Sequence, residues 1–595
     1  MVKLELILCM ASLALTLFLA ALDIIIVVTL YDTIGRKFND YADIGWLVTG
    51  YSLSSALFTL LWGRLSSLFG LKSNLVASII IFEIGSLIVA LSDSMGMLIG
   101  GRVIAGIGGS GIQSLVFVVA TSLVEARNRG VVTSVMSLAF MVSNAIGPVI
   151  GGAFTEHSTW RWCFYINLPI GGFALFMLAL NYNPTGKPVW HQLRSHLHTV
   201  LNFNYRWLAT AEFWATAFNF FFYKLDFVGF ALSSSGFVLL LLGITFGGNR
   251  HPWNSGSTIA YLVVGGGLIL LFFVYDFIVF PRLASRLHNT QTAMPLLPWH
   301  TVKILGVFTS SMANFFCTFA FNMHAVYLVQ FFQIVFNQGA TAASMHMWGL
   351  LVPTLVTIIV MARINSKIGV LKPMIVFGAI CGVVGSGLMT MFKGSTTTGQ
   401  SIGYSILPGI AFGAIMQATM LSAQVQIEKD DPEYRIKFIE VTTLNAFVKA
   451  LGLSFGGIVG TMVFETTVKN ELKNSTLSLP DFASIESLIA YRATHYDGSS
   501  SPLARILTRG VRNTFLAALG CYCCSFIFSI FTSNRRLEFD TKKPDPEKPA
   551  LDEDAVNLGS KEDEEEAHYA TASVSSNSIE KEAREIIDKE DTAAR

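Results

Sequence analysis

The chain has 595 residues, 52% of them hydrophobic and 14% charged, with a net charge of +1 and a mean hydropathy of +0.55. A soluble fold with so few charges cannot cover its surface, and a disordered chain needs the opposite balance. Seven cysteines, three of them (Cys521, Cys523, Cys524) in one apolar run, exclude a disulfide scaffold and offer no zinc spacing.

The expected class is an all-α polytopic membrane protein. A helix needs about 20 apolar residues to cross a bilayer. Fourteen stretches qualify: 8–30, 44–62, 74–92, 97–122, 130–153, 160–181, 226–246, 258–280, 301–323, 343–362, 373–391, 401–423, 437–464 and 511–533. The stretch Tyr327 to Val335 either extends the ninth span or lies on the membrane surface. The first span is too long for a signal peptide, carries Asp23, and is followed directly by others.

Lys and Arg alternate between loops. Arg64, Lys72, Arg127, Arg129, Lys187, Arg194, Arg363, Lys367, Lys372, Lys429 and Arg435 fall on one side, which the positive-inside rule makes cytoplasmic. Arg36, Lys37 and the basic residues of 465–510 are the exceptions. Asn474-Ser475-Thr476 is a glycosylation sequon and suits an external loop. An even number of spans puts both termini in the cytoplasm.

The net charge hides a split. From Arg535 onward there are 10 Lys/Arg and 18 Asp/Glu, against 31 and 22 before it. The acidic tail is rich in Lys, Glu, Ser and Pro and poor in aromatics, so it is expected to be disordered. Its run Glu562 to Glu566 is either a solvated stretch or a binding segment.

Two segments recur. Arg64 to Gly70 echoes Arg363 to Gly369, and Ala145 to Gly152 echoes Ala450 to Gly457. Each echo is eight spans away. Two six-span halves with two spans inserted between them give that offset, and parallel halves of this kind are typical of transporters. The expected organisation is a six-helix bundle over 1–181, a cytoplasmic linker over 182–225 and two additional spans over 226–280. A second six-helix bundle covers 281–533 with an external loop at 465–510, and a disordered cytoplasmic tail covers 534–595.

An ionisable group inside a span costs about 2.5–3.5 kcal/mol or more and marks a functional site by default. Asp23 lies about two-thirds of the way through the first span, where a carboxylate can take up and release a proton. The alternative is a structural Asp satisfied by neighbouring hydroxyls. Arg102 lies just inside span four, where it either snorkels to the interface or sits beside Asp23. Glu83 and Lys449 lie near the middle of spans three and thirteen, lining a cavity or neutralising each other. Asp226 and Asp276, near the inner ends of the two extra spans, read as solvated ends. Gly147, Pro148, Gly151 and Gly152 suit a close-packed, kinked span five. Aromatic residues, 12% of the chain, can hold an organic cation through their faces. There is no P-loop, so ATP drive is not expected. No nucleophile elbow, HExxH or haem pattern is present, and no enzyme, metal, cofactor or nucleic-acid partner is expected.

Several strings resemble the major facilitator superfamily, and within it the fourteen-span fungal drug:proton antiporter family 2. Gly63 to Lys72 is similar to the superfamily's loop between spans two and three, with Gly63, Arg64, Gly70 and Lys72 matching. Arg102-Val103-Ile104-Ala105-Gly106-Ile107-Gly108-Gly109 resembles its span-four motif, and Gly147 to Gly152 its antiporter motif. Leu22 to Val27 and Trp160 to Gly171 resemble family-2 strings. The likeness covers about residues 5–535. It implies the major facilitator fold, a role for Asp23 and Arg102 in proton coupling, and export of lipophilic organic cations, drugs and dyes in exchange for protons, hence multidrug resistance at the plasma membrane. The loop departs from the pattern, with Ser67 and Leu68 in place of the usual acid and Arg. That leaves Arg64 or Lys72 to carry its gating role. A vacuolar-membrane transporter of basic amino acids with the same fold is the alternative, and a non-transporting receptor signalling through its tail is a further one.

Overall fold

The structure, a computed structural model, describes residues 3–38, 46–183, 210–247, 251–286, 295–475, 491–492 and 494–536. The chain divides into two compact units, Met1–Tyr182 with Phe203–Phe539 and Asn183–Asn202 with Asp540–Arg595. The second unit, and with it the acidic tail and most of the 182–225 linker, lies outside the described residues apart from Asn183.

Fourteen long helices make up the first unit: α1 (Lys3–Ile26), α2 (Trp46–Phe69), α3 (Leu71–Ala90), α4 (Met95–Ser122), α5 (Ala126–His157), α6 (Asn167–Asn181), α7 (Phe227–Phe246), α8 (Gly256–Val274), α9 (Leu305–Phe336), α10 (Trp348–Ile368), α11 (Lys372–Met389), α12 (Thr398–Gln424), α13 (Tyr434–Lys473) and α14 (Pro502–Ile530). Helices satisfy their own backbone groups, which lipid cannot do. Thirteen described helices are long and apolar enough to cross a bilayer. The fourteenth, α2, has 24 residues, about 36 Å at ~1.5 Å per residue, and is less apolar because Ser and Thr interrupt it.

The helices pack as a repeat. In the first half α1 packs on α5 and α6, and α4 on α2 and α3. In the second half α9 packs on α13 and α14, and α12 on α10 and α11. Adding eight to each number of the first set gives the second. The seams between halves obey the same rule, because α2 packs on α13 and α10 on α5. The inserted pair, α7 and α8, pack on each other, and α7 touches α2 and α13.

The sequence echoes fall on matching positions. Gly70 and Gly369 end α2 and α10 with φ of 83° and 67°. A side chain would be strained there, so both turns require glycine. Gly147 and Gly151 of α5 lie against Ile25, Ile26 and Thr29 at the end of α1. Gly452 and Gly456 of α13 lie against Thr318, Phe319 and Asn322 of α9. Each glycine pair brings the first and fifth helix of its half into close approach. Pro148 lies within α5, and its side chain is outside the described part.

Two expected boundaries move. The ninth span and its sequel form one 32-residue helix, α9. Of the stretch expected as a loop at 465–510, residues 465–473 belong to α13 and 502–510 to α14. Phe464 and Val468 pack there with Leu503, Leu507 and Val511, and Arg509 pairs with Glu471 at 2.7 Å. Before α7, the linker forms a helix over Ala211–Asn219 that exposes Trp214 and Phe218.

Candidate functional site

Asp23 and Arg102 meet. Asp23 is 1% exposed and Arg102 0%, and the Arg102 Nη1 ion-pairs with Asp23 Oδ2. Arg102 therefore does not snorkel. Its Nε donates to the Leu47 carbonyl at 3.0 Å, and its guanidinium lies over the Tyr51 ring at 4.5 Å from the centroid. The span-four glycines make this possible, because a Cβ at Gly106 or Gly109 would run into Tyr51. Asn167 donates Nδ2 to the other Asp23 oxygen at 3.2 Å, and to Ser86 Oγ at 3.2 Å. Asp23 is thus held by an arginine and an amide rather than by hydroxyls.

Asn167 belongs to the string Trp160 to Gly171, and the geometry explains much of that string. Arg161 stacks on Trp160 at 4.8 Å and donates to the Ala90 and Ser92 carbonyls, fixing the turn between α3 and α4. That turn opens the helix on which Arg102 lies. Gly171 makes room for Glu83, whose two carboxylate oxygens are buried without a hydrogen-bond partner.

A second cluster lies at the opposite end of the bundle, where α2 turns into α3. Arg64 of α2 ion-pairs with Glu440 of α13 at 3.3 Å, across the seam between halves, and also donates to the Pro295 carbonyl. Glu440 accepts from Thr301 Oγ1 at 3.2 Å and lies 3.3 Å from His300 Nε2. Gly63, one residue before Arg64, faces Thr443, whose Cβ would lie 2.9 Å from an added Cβ. Arg129 of α5 donates to the Tyr434 hydroxyl at 3.2 Å and lies over the Phe438 ring at 4.7 Å. The Gln417 amide donates to the Gly130 carbonyl at 2.7 Å. Several polar contacts thus hold this end of the halves together.

The acid that Arg64 meets comes from the far half. Ser67 only returns its hydroxyl to the Arg64 carbonyl at 2.8 Å. Lys72 does not cross the seam either, since its Nζ bonds the Ala179 carbonyl at 3.1 Å, closing the end of α6. At the start of α13, Lys437 bonds Asp431 at 2.6 Å and Glu433 at 3.2 Å. Its hydrogen bond holds the Asp431 carboxyl below the usual carboxylate range.

Asp226 and Asp276 correct the reading as solvated ends. They are 0% and 1% exposed. Asp226 caps α7 with a φ of 49°, accepting from Gly229 N at 3.0 Å and from Leu296 N at 2.8 Å. Asp276 is buried beside the Asp226 carboxyl and the Leu297 amide. The segment around Leu296, tied to Arg64 through Pro295, covers both acids.

Lys449 and Glu83 do not meet. Lys449 is 5% exposed, with Nζ 4.9 Å from the Phe140 centroid and 5.5 Å from that of Phe117. It lines a small pocket between the halves, with Phe117, Ser137, Met416, Met420 and Asn445. Asn474 caps α13 and is exposed, while Thr476 of its sequon is outside the described residues.

Sequence reasoning missed Glu440, Tyr434, Tyr51 and the Asp23 contact of Asn167. Glu440 had a signal of its own, an acid in the first turns of an apolar run, but its partner is 376 positions away.

The comparisons agree with this arrangement. A sequence profile of the Major Facilitator Superfamily matches residues 13–298. Protein SGE1 of Saccharomyces cerevisiae is 52% identical over 543 residues, covering 91% of this chain and 99% of that protein. Vacuolar basic amino acid transporter 5 of the same yeast is 43% identical over 544 residues (91% and 93%). Azole resistance protein 1, also from that yeast, is 41% identical over 538 residues (88% of each). Among solved structures, the proton:xylose symporter XylE superposes with a TM-score of 0.52 at 12% identity, over 90% of this chain and 97% of that one. The likeness to XylE is one of fold. With its two repeated six-helix halves, its inserted pair and relatives at this level over nearly its whole length, the chain belongs to the major facilitator superfamily.

Proposed function

We propose that the protein is a proton-coupled antiporter that exports lipophilic cationic drugs and dyes by alternating access. The observation that carries this reading is the buried Asp23–Arg102 pair, a titratable charge placed deep inside one half. The likeness to a yeast azole resistance protein supports a drug as the substrate. Asp23 takes up a proton from outside, which loosens its hold on Arg102. The Arg64–Glu440 contact closes the cytoplasmic end and opens when the halves rock apart. Arg64, Lys72, Arg129 and Arg435 gather at this end, as the positive-inside rule requires. Both termini then face the cytoplasm, and the membrane is the plasma membrane. Exchange of one proton for one monovalent cation is electrically neutral, so each pH unit supplies about 1.4 kcal/mol, a tenfold concentration ratio.

The test is efflux of a fluorescent lipophilic cation from cells, with external pH stepped from 5 to 7. Wild-type efflux should weaken as the gradient falls and be lost in well-expressed Asp23→Asn. Gradient-driven efflux that survives in the variant moves the proton site elsewhere, to Glu83 first. Correctly localised wild type without efflux rejects the reading.

Transport of basic amino acids into the vacuole is the second reading, favoured by the 43% relative. A tagged protein on the vacuolar membrane would support it. Against it stands the cavity at Lys449, lined by Met and Phe with no acid to receive a basic side chain.

A further inference from the structure

The cavity between the halves already contains a cation. Lys449 reaches into it from α13, and its ammonium lies over the faces of Phe117 of α4 and Phe140 of α5. Met416 and Met420 of α12 supply soft, adaptable walls. The polar lining has unused capacity. Ser137 and Asn445 are 1% and 4% exposed, and among the described residues Ser137 Oγ and Asn445 Nδ2 have no hydrogen-bond partner. Aromatic faces, polarisable thioethers and idle hydrogen-bonding groups make a built receptor for an organic cation, with an internal ammonium in the place of one.

Nothing else on the surrounding helices compensates that charge. Among the described residues the Lys449 ammonium forms no ion pair. Helices α9 and α12 carry no Asp or Glu, and on α9 His324 bonds Ser386. The acids on neighbouring elements are engaged elsewhere. Asp23 holds Arg102, Glu440 holds Arg64, Glu471 holds Arg509, and Asp226 is bonded to backbone amides. Helices α2 and α4 carry one charge each, Arg64 and Arg102, and both are cations. Two cations in one cavity without an acid repel strongly. Lysine, unlike arginine, can resolve the conflict by giving up its proton.

We propose that Lys449 is the resident cation of this cavity, which an organic cation replaces only as the lysine releases its proton to water. The exchange balances in atoms and charge: the Lys449 ammonium, a water and the arriving cation give a neutral Lys449 amine with the cation bound, and a hydronium ion. Phe117 and Phe140 pass from the ammonium to the substrate. The inference rests on the antiport reading and places its competition step. Asp23, held by Arg102 and Asn167, is not where substrate and proton compete.

The test is equilibrium binding to purified full-length protein in nanodiscs. The probe is tetraphenylphosphonium, a permanent cation that cannot itself titrate. Tetraphenylborate, an anion of the same size, is the control. Where Lys449 is protonated, the wild-type Kd for the cation should fall about tenfold per pH unit as pH rises. One proton should be released per cation bound in weakly buffered solution. Lys449→Met should bind the cation with a flat pH dependence. Lys449→Arg, still folded by size-exclusion chromatography, should bind it at least tenfold more weakly at every pH. A flat wild-type profile overturns the proposal. So does wild-type binding by Lys449→Arg, a retained slope in Lys449→Met, or tighter binding of the anion at low pH. If cells export a cationic dye and the slope is absent, the Lys449 assignment alone fails. If neither export nor binding is seen, the antiport reading fails with it.

Discussion

The two buried ion pairs differ in what they join. Asp23–Arg102 links α1 to α4 inside one half, and both side chains are at most 1% exposed. Arg64–Glu440 links α2 to α13 across the seam, with the Glu440 side chain 10% exposed and a histidine and a threonine within reach. A pair inside one rigid half can persist whichever way the halves rock. A pair across the seam exists only while that end is closed. The first is suited to hold charge through the cycle, and the second to be made and broken in it.

The largest expected effect breaks the inner pair from one side. Arg102→Ala leaves Asp23 buried with Asn167 alone. Loss of one partner of a buried pair costs about 3–5 kcal/mol, so the thermal midpoint in detergent should fall steeply. Asp23→Asn combined with Arg102→Gln removes both charges and should recover most of that loss. A double variant as unstable as Arg102→Ala would mean that the pair is not the source.

Breaking the seam pair should act on the balance of states more than on folding. Glu440→Gln should favour opening of this end by about 1–3 kcal/mol, a 5–150-fold shift in population. The readout is labelling of a cysteine placed at Thr443, which faces Gly63 in the closed seam. Arg64→Glu with Glu440→Arg should restore part of the protection. Equal labelling in all variants would exclude a latch.

Gly63→Ala sharpens the same contrast at about 1–3 kcal/mol, the usual cost of overpacking. Its Cβ would meet Thr443 only when the seam is closed, so labelling should rise while the Asp23–Arg102 half keeps its stability. Thr443→Ala combined with Gly63→Ala should relieve the overpacking, read as recovery of the thermal midpoint rather than by labelling.

The smallest effect is at Asp431. Its carboxyl is held below the usual range by Lys437, so the contact stabilises above the ordinary carboxylate range and is lost as pH falls through its depressed value. The difference in thermal midpoint between wild type and Asp431→Asn should be small at pH 7 and vanish in strong acid. A difference that grows on acidification would contradict the sign.

Much of this was legible in the chain. Long apolar runs gave the spans, two recurring strings gave the repeat, and Asp23 and Arg102 announced themselves as charges where charge is costly. Gly147 and Gly151 of the span-five string also lie in the close approach expected of them. Other readings failed for one physical reason. Asp226 and Asp276 stand near span ends, and only the backbone around Leu296 decides that water does not reach them. Glu83 and Lys449 sit at similar depth, yet they face different neighbours.

The residue types and their order alone determined the class, the family likeness, the helices and the cost of each intramembrane charge, because hydropathy and helical geometry act over a few turns. Partnership was decided only in three dimensions. Arg102 reaches Asp23 across 79 positions and Arg64 reaches Glu440 across 376. Which charges meet depends on how whole helices pack, and packing is set by glycines and ring faces on several helices at once.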